Sequence, residues 1–453
     1  MLKIGKTYEI DIVDLGHKGE GIGKFEGFTV FVEGGLKGDK VIGKIIKSKK
    51  NYAVADLVKV LEPSPQRVEP RCPLAHTCGG CQIMQLDYEN QLEIKRNTVL
   101  ENLTRIGKLE NPKVEETIGM KDPYYYRNKV QFPVGLDKNN KPIMGFYKKM
   151  SHDIIPLKTC YVQGPINDTI LDIVREYIVK FNIKVYDEKT HTGNLRHVVT
   201  KVGHYTKEVM VILVTKEKEI PKLKYLIDML EEKVSGFRTL VQNINPQRTN
   251  VILGRENKTI YGDGVIEDTI EDLVFEISPL SFYQVNPIQT EVLYRKTLEF
   301  ADINKEDTVF DIYCGIGTIS LFLARSAKQV YGVEIVPDAI ENAKKNAVKN
   351  HIDNATFYAG KAEELIPKLY SQGITADVVV LDPPRKGCEE IVLKTIAEMK
   401  PKKAVYVSCN PSTLARDVAI LKDYGYEMKV AQPVDMFPHT THVETVVLMS
   451  KKN

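Results

Sequence analysis

The feature that most constrains the fold is a regular alternation of apolar strand-like runs and helical stretches from about Val265 to the end of the chain. The strand-like runs are, in order, DTVFDIYC, QVYGVEI, ADVVVLD, KAVYVSC and ETVVLMS. Strands that alternate with helices predict βαβ units, whose crossovers build a parallel sheet covered on both faces. The sequence therefore predicts a doubly wound, Rossmann-like α/β domain over residues 263–453.

The rest of the chain follows other patterns, and its 453 residues are enough for about three domains. Short β-rich runs between Gly-rich turns predict a small, OB-like β-barrel over residues 1–60. The segment EPSPQRVEPRCP then carries four prolines, which favours a linker because proline interrupts regular structure. Mixed helical and strand-like runs predict a central α+β domain over residues 61–262. The predicted fold class is thus multidomain α/β.

The segment TVFDIYCGIGTISLFLA has the form of a cofactor-binding turn. An apolar strand ends near Asp311, and glycines follow before a helix begins, at the strand edge where open α/β sheets bind ligands. Glu334 lies twenty-three residues beyond Asp311, a spacing typical of a carboxylate that binds ribose hydroxyls. The turn lacks the longer dinucleotide fingerprint, so a nucleoside without pyrophosphate, such as S-adenosylmethionine, fits better than NAD. Asp382 ends a third strand, although it is also interpretable as a turn residue.

Two further residues lie at the ends of predicted strands and have the chemistry of a nucleophile and a base. Cys409 ends the run AVYVSC, and Glu444 begins the last strand. A single cysteine is often only a small core residue, and the alternation around Glu444 also suits a solvent-facing position. The two form a reactive pair only if their strand ends meet. Cys314 and Cys388 are assigned to the core.

Cys72, Cys78 and Cys81 lie within ten residues, which points to a shared ligand. The chain starts without an apolar run of signal-peptide length and has no segment near the roughly 18 apolar residues of a membrane span. We therefore expect a cytoplasmic protein with no membrane partner. In that reducing compartment, clustered thiols indicate metal or cofactor ligation rather than disulfides.

The net charge of +3 is too small to identify a partner. One basic run stands out, and it contains Lys44, Lys47, Lys49 and Lys50. We interpret it as a solvated hairpin tip, with phosphate binding as the alternative. A second region mixes basic and aromatic side chains, namely Arg127, Lys129, Phe146, Tyr147, Lys148 and Lys149. Such a mixture suits RNA with splayed bases, and an ordinary solvated surface is the competing interpretation.

Six motifs occur in order over about the last 175 residues: SPLSFYQVNP, DIYCGIGT, GVE, LDPPRKG, VYVSCNPSTLARD and VDMFPHTTHVE. In this set the chain resembles the RNA (uracil-5-)-methyltransferase family, most closely the bacterial 23S rRNA type with an N-terminal TRAM domain. The resemblance implies S-adenosylmethionine as cofactor and 5-methyluracil as product. It also implies that Cys409 is the nucleophile and Glu444 the proton acceptor. The implied cofactor-binding residues are Gln284, Tyr313, Glu334 and Asp382.

The resemblance also bears on the cysteine cluster. It implies that Cys160 joins Cys72, Cys78 and Cys81 as the fourth metal ligand. Four thiolates suit zinc or a [4Fe-4S] cluster, and their spacing alone does not choose between them. The resemblance favours the cluster, in a structural role. We further expect a monomer that binds 23S rRNA and flips the target uracil out of its stack.

Two other functions remain as alternatives at this stage. The same reaction on tRNA is the first, although the tRNA branch of the family usually lacks both TRAM and the cluster. A non-catalytic RNA-binding or ribosome-assembly factor that keeps the fold is the second. The presence of Cys409 and Glu444 argues against that second function.

Overall fold

A computed structural model describes residues 2–149 and 151–452. The N-terminal part is a closed barrel with the strand order β1-β2-β3-β5-β4. Its strands are β1 (Thr7–Leu15), β2 (Gly21–Phe25), β3 (Phe28–Glu33), β4 (Lys40–Ser48) and β5 (Tyr52–Glu62). Inward-facing aliphatic side chains such as Ile10, Val32 and Ile45 fill the barrel. Successive side chains of a strand point to opposite faces of the sheet, so one face of the closed barrel surrounds a single core.

The central part follows the proline-containing linker and a long helix, α1 (Tyr88–Arg105). It contains a seven-stranded sheet with the order β12-β11-β10-β9-β6-β7-β8. The strands are β6 (Lys129–Leu136), β7 (Pro142–Tyr147), β8 (Ile154–Pro156), β9 (Leu195–Val202), β10 (Val209–Thr215), β11 (Phe237–Ile244) and β12 (Glu256–Tyr261). Two helices, α2 (Ile166–Phe181) and α3 (Leu223–Lys233), pack their apolar residues against it. This mixture agrees with the predicted α+β character.

A hairpin of β13 (Ile266–Ile270) and β14 (Leu273–Ile277) leads into the C-terminal part. Its sheet has the order β17-β16-β15-β18-β19-β21-β20. The strands are β15 (Thr308–Ile312), β16 (Gln329–Glu334), β17 (Ala355–Ala359), β18 (Val378–Leu381), β19 (Lys403–Ser408), β20 (Tyr426–Val434) and β21 (Glu444–Lys451). The helices are α4 (Pro287–Ala301), α5 (Thr318–Ala324), α6 (Pro337–Lys349), α7 (Ala362–Ser371), α8 (Glu390–Met399) and α9 (Pro411–Asp423). The predicted doubly wound α/β fold is confirmed.

The sheet departs from the predicted parallel arrangement at one edge. Strands β15 to β19 run parallel, whereas β21 is antiparallel to both β19 and β20. The sequence interpretation missed β20, whose run YEMKVAQPV is interrupted by charged and polar residues. The connection from β20 to β21 spans only residues 435–443, too short for the dozen or more residues of a parallel crossover. An antiparallel return is the geometry that this length permits.

Among the described residues, no helix combines the length and the apolar character needed to cross a membrane.

Candidate active site

The C-terminal sheet reverses its strand order between β15 and β18, and this reversal opens a crevice. The chain runs outward from β15 through β16 to β17, then returns to place β18 on the other side of β15. Asp311 lies near the end of β15, and Asp382 follows β18 directly, with its amide donating to the Ile312 carbonyl over 3.2 Å. Ligands of open α/β sheets bind at such a switch point. The two acids therefore lie at its edge.

Asp311 has an incompletely satisfied carboxylate at this position. It is fully buried, and its Oδ2 accepts a hydrogen bond of 2.5 Å from the Ser320 hydroxyl. Its Oδ1 is buried with no hydrogen-bond partner among the described residues. Burial raises the pKa of Asp311 to about 7, against the lowering effect of Ser320. Burial and then the Asp311 charge likewise raise the pKa of Asp382 to about 7. A cation bound here would therefore favour the ionised form of both carboxyl groups.

The turn after β15 has the backbone geometry of a ligand cradle. Tyr313, Gly315 and Gly317 have φ values of 73°, 57° and 81°. A Cβ at Gly315 would meet no atom within 4 Å, so open space lies beside the backbone there. Glu334, at the end of β16, accepts from the Gly315 amide over 3.3 Å. The predicted residues Tyr313 and Glu334 therefore lie together at this turn.

Gln284 lies in the loop between β14 and α4 and contacts the central part of the chain. Its side chain is buried, and its backbone carbonyl accepts a 3.0 Å hydrogen bond from the Asn128 side-chain amide. Lys201 of β9 anchors the same loop, because its Nζ donates to the backbone carbonyls of Ser278 and Ser281 at 2.7 and 2.9 Å. Burial, and then the charge of Lys129, lower the pKa of Lys201 well below its usual value. Sequence reasoning missed Lys201, which lies in a β-strand far along the chain from the loop that it holds.

Cys409 and Glu444 are neighbours, because β19 and β21 pair with Ser408 opposite Thr445. In an antiparallel ladder the next pair of positions is Cys409 and Glu444. Glu444 is only 4% exposed, so it does not face solvent. We refer to Asp311, Asp382, Cys409 and Glu444 as the strand-end site.

The charges around this pair shift both pKa values upward. Burial and then the Asp382 charge raise the pKa of Glu444 to about 8. Burial and the charges of Glu444 and Asp382 raise the pKa of the Cys409 thiol to about 11. Arg385 opposes both shifts. It belongs to the LDPPRKG motif, so its position was visible in the sequence, but its proximity to Cys409 and Glu444 was not.

The loop 435–443, which leads into Glu444, is fixed by a buried ion pair between Lys95 of α1 and Asp435. Both side chains are fully buried, and Lys95 Nζ also donates to the Phe437 carbonyl over 3.0 Å. The Tyr88 hydroxyl donates to the second oxygen of Asp435 over 2.8 Å. A lysine among other charges in a helix is typical of a solvent-exposed position, so no sequence signal marks this pair.

Four cysteines predicted as ligands line one cavity of about 340 Å³: Cys72, Cys78, Cys81 and Cys160. We call it the cysteine cavity. Burial raises the pKa of Cys160 to about 11; backbone hydrogen bonds oppose this rise, and the neighbouring thiols add to it. As the side chains stand, no three His, Cys, Asp or Glu residues in the described part of the chain are arranged around a metal position. Cys314 and Cys388 are buried elsewhere in the core.

The cysteine cavity borders two other features. An open cleft of about 550 Å³ lies beside it, lined by Gly79 and Gly80 and by residues 146–149, which are four of the six predicted basic and aromatic residues. The other two, Arg127 and Lys129, line the cysteine cavity. On another side, the amides of Gln82 and Ile83 donate to the His439 carbonyl at 3.0 and 3.1 Å. The segment that follows Cys81 is therefore hydrogen-bonded to the loop that leads into Glu444.

Comparison with known proteins finds similar proteins over almost the whole chain. The family model described as tRNA (Uracil-5-)-methyltransferase matches residues 88–452, and the TRAM domain model matches residues 2–58. A relative from Clostridium tetani, described as an uncharacterized RNA methyltransferase, is 51% identical over 449 residues, which cover 99% of this chain and 97% of the relative. A relative of the same description from Listeria innocua is 50% identical over 452 residues, covering 100% of this chain and 99% of the relative.

A solved structure extends the similarity to three dimensions. The tRNA (uracil-54, C5)-methyltransferase of Pyrococcus abyssi, in complex with S-adenosyl-L-homocysteine, is 29% identical, with a TM-score of 0.78. The similarity covers 98% of this chain and 100% of that one. Since the first family model covers everything from α1 to the last strand, this chain belongs to the tRNA (uracil-5-)-methyltransferase family, with a TRAM domain at its N-terminus.

Proposed function

We propose that the protein methylates C5 of a uracil in 23S rRNA, uses S-adenosylmethionine, and produces 5-methyluridine. The observation that carries the proposal is the position of Cys409 opposite Glu444 at two neighbouring strand ends, beside a crevice lined by carboxylates. A nucleophile next to a base is the arrangement that covalent catalysis requires. The family supports RNA uracil as the substrate class.

The two residues act at opposite ends of the reaction. C5 of uracil is a weak nucleophile, so the Cys409 thiolate adds to C6 and the electron pair of the C5–C6 double bond moves onto the carbonyl as an enolate. S-adenosylmethionine, when bound, would supply an electrophilic methyl group: C5 bonds to the methyl carbon as the methyl–sulfur bond breaks, and S-adenosylhomocysteine leaves with the electron pair of that bond. Glu444 then takes the proton from C5, and the released electron pair restores the double bond and expels the thiolate.

Arg385 has a supporting part in this scheme. Its charge opposes the upward pKa shifts of Cys409 and Glu444, and therefore partly offsets the effect of burial on formation of the thiolate. The same charge is suited to stabilise an enolate that forms beside Cys409. Arg385 is thus the donor that sequence reasoning did not name.

The described residues fit S-adenosylmethionine. Glu334, Tyr313 and Gln284 would hold the nucleoside, with Glu334 placed at the glycine turn to accept from ribose hydroxyls. Asp382, with the unpartnered Oδ1 of Asp311, would favour the positive end of the ligand. Two carboxyl groups whose pKa values are raised by burial suit a cationic ligand, because its charge favours the ionised form of both.

We infer that the cysteine cavity holds a [4Fe-4S] cluster. The proposal is supported by four thiols from two distant segments that line one cavity. Among common metal groups, zinc and iron–sulfur clusters are the two that four cysteine ligands suit. Bound there, the cluster would tie the segment of Cys72 to the loop of Cys160. The reaction above needs no electron transfer, so its role is structural.

The cluster is tested by purifying the full chain without oxygen. We expect a brown protein with broad visible absorption and about four irons per chain. Colourless protein with stoichiometric zinc would show that the site binds zinc rather than a cluster. Protein with neither iron nor zinc would refute the metal site as a whole.

The division of roles is tested with two variants and an unmodified RNA substrate. Glu444→Gln keeps the shape but removes the base, so methylated RNA should remain joined to Cys409 as a denaturation-resistant band. Cys409→Ala should give neither adduct nor product while still binding RNA and S-adenosylhomocysteine. An adduct with Cys409→Ala, or none with Glu444→Gln beside an active wild type, would overturn the assignment.

tRNA is the second candidate substrate, and the full-length similarity to a tRNA methyltransferase favours it. That similarity includes the barrel, so the barrel alone does not separate the two substrates. We favour 23S rRNA because the motif set and the four cysteines resemble the rRNA branch. Methyl transfer to 23S rRNA and to tRNA from a deletion strain, followed by mapping of 5-methyluridine, decides between them, and product in tRNA alone would reject the rRNA assignment.

A further inference from the structure

One surface cluster has no part in the site described so far. The guanidinium carbon of Arg71 lies 4.9, 5.3 and 4.9 Å from the ring centroids of Tyr124, Tyr125 and Tyr161. Arg71 and Tyr125 are solvent-exposed, whereas Tyr124 and Tyr161 are half-buried. We call these four residues the Arg71 platform. The guanidinium lies over the three rings, and Arg71 and Tyr125 form the exposed part of the platform.

The backbone of the platform is strained. Tyr125 has a φ of 52°, a left-handed conformation that is an outlier for a bulky residue. The Tyr125 amide donates to the Tyr161 carbonyl at 2.8 Å, which holds the residue in place. Strain of this kind persists where the surroundings impose it, and it clusters at ligand clamps. An exposed cation–π contact is weak. The contact with Arg71 alone therefore does not account for the strained backbone of Tyr125.

The platform lies between the two sites described above. The Tyr124 ring centroid is 4.7 Å from that of the buried His439, in the loop that leads into Glu444. On the other side, Tyr161 lines the cysteine cavity, and Arg71 precedes Cys72 in the chain. The platform therefore contacts the loop that leads into Glu444 on one side and borders the cysteine cavity on the other.

We propose that the Arg71 platform stacks a base of single-stranded RNA next to the target uracil. This inference rests on the proposed function. A uracil that leaves its stack leaves neighbours without a stacking partner, and aromatic or guanidinium planes are the groups that proteins use to replace it. The positive charge of Arg71 adds attraction for the adjacent phosphate. The site would take any base, because every base has a π-face.

The first test measures binding of a fluorescent, single-stranded, uridine-rich RNA to the full, metal-loaded chain. Removal of one stacking ring should weaken binding by about 5- to 100-fold, so Tyr125→Ala and Arg71→Ala should both show this loss. Tyr125→Phe keeps the ring and should bind like wild type. Tyr424→Ala is the matched control, since Tyr424 is also exposed but precedes β20, at the other end of that strand from the loop 435–443.

The second test pairs each variant with an abasic nucleotide. In the RNA stem-loop that the wild type methylates, an abasic site beside the target uridine should weaken wild-type binding at one flanking position. Tyr125→Ala should lose nothing further at that position, because the stacking partner is already absent. A purely structural role of the platform would instead give the same abasic loss in the variant and the wild type.

The outcomes separate this inference from the proposed function. If the folded, metal-loaded variants Tyr125→Ala and Arg71→Ala bind RNA like wild type, the platform is wrong although methylation stands. If the wild type methylates no RNA, the proposed function is wrong, and the binding of single-stranded RNA still tests the platform. Normal binding of S-adenosylhomocysteine and normal metal content identify variants that are correctly folded.

Discussion

At the strand-end site, the reactive residues stand on adjacent strands of one sheet, whereas at the cysteine cavity they stand on loops. Ladder hydrogen bonds fix the register of Cys409 against Glu444. Around the cavity, the cysteine segments are joined to their neighbours by isolated β-bridges, such as the one between Cys78 and Lys148. Cys160 itself lies in the connection between β8 and α2. The first arrangement is set by the sheet, and the second depends on a few local contacts.

This difference implies different responses to loss of a ligand. A site on strand ends keeps its shape because the sheet core is buried on both faces. Loops joined by few hydrogen bonds open more easily, so a bound metal contributes more to their order. The cavity should therefore depend on its ligand far more than the strand-end site does.

The largest effect is expected at the cysteine cavity. Cys160→Ser removes one of the four proposed ligands, so the bound metal should fall to background and the denaturation midpoint should drop, because metal-binding free energy contributes to folding. Metal analysis and thermal unfolding measure both. Cys388→Ser is the control, since Cys388 is a buried thiol outside the cavity, and it should keep its metal. Full metal content in Cys160→Ser would remove Cys160 from the ligand set.

The next effect concerns the loop before Glu444 and the ion pair that holds it on α1. Lys95→Met leaves the fully buried Asp435 without its cation, which should lower the free energy of unfolding by about 3–5 kcal/mol. The turnover rate should fall because the loop before Glu444 loses its anchor, while S-adenosylhomocysteine affinity stays unchanged. Urea unfolding and steady-state kinetics are the measurements.

Two further variants sharpen this prediction. Adding Asp435→Asn to Lys95→Met removes the unpaired charge and should recover part of the stability. Lys113→Met breaks an exposed pair with Glu115 and should change nothing measurable. A Lys95→Met protein as stable as wild type would show that the buried pair does not hold the loop.

A smaller effect tests the carboxylates of the strand-end site. The pKa values of Asp311 and Asp382 are raised to about 7, so below that pH both groups hold protons that a cationic ligand must displace. Affinity for S-adenosylmethionine should therefore rise between about pH 6 and pH 8, by up to about tenfold per unit for each proton released. Glu334, Glu444 and Arg385 complete the charged surroundings.

S-adenosylhomocysteine is the matched ligand because it lacks only the methyl group and the sulfonium charge. Its affinity should depend less on pH, and calorimetry at several pH values measures the difference. Asp382→Asn should reduce the pH dependence for S-adenosylmethionine. Parallel pH profiles for the two ligands would contradict a role of these carboxylates in binding the cation.

Sequence reasoning performed differently at the two sites for a physical reason. Periodicity and glycine turns follow from local chain geometry, so the strand ends that carry Asp311, Glu334, Asp382 and Cys409 were predictable one element at a time. The meeting of Cys409 with Glu444 was not, because it depends on the antiparallel return of β21. The grouping of Cys160 with the other cysteines came from the resemblance alone.

Other features had no sequence signal because they join distant segments. Lys95 and Asp435 are 340 positions apart, and each looks like an ordinary surface charge in its own segment. Lys201 pairs with backbone carbonyls rather than with a carboxylate, so no complementary residue marks it. The Arg71 platform joins three segments whose tyrosines appear separately as strand-like or loop residues. Tertiary packing, rather than local propensity, creates these sites.

The smallest expected effect lies in the barrel, away from both sites. Lys44, Lys47, Lys49 and Lys50 are all exposed on the β4–β5 hairpin, which agrees with a solvated tip and leaves phosphate binding open. If they bind RNA phosphates, changing all four to glutamine should weaken rRNA binding at low salt. The slope of log affinity against log salt should then become shallower by about 0.7 for each phosphate that is no longer neutralised.

The matched control changes the same lysines to arginine, which keeps the charge and should preserve the slope. Binding of S-adenosylhomocysteine should not change, because the barrel lies outside the C-terminal sheet. A loss that is equal at every salt concentration would indicate stacking or a structural role, and no loss would assign RNA recognition to the central and C-terminal parts alone.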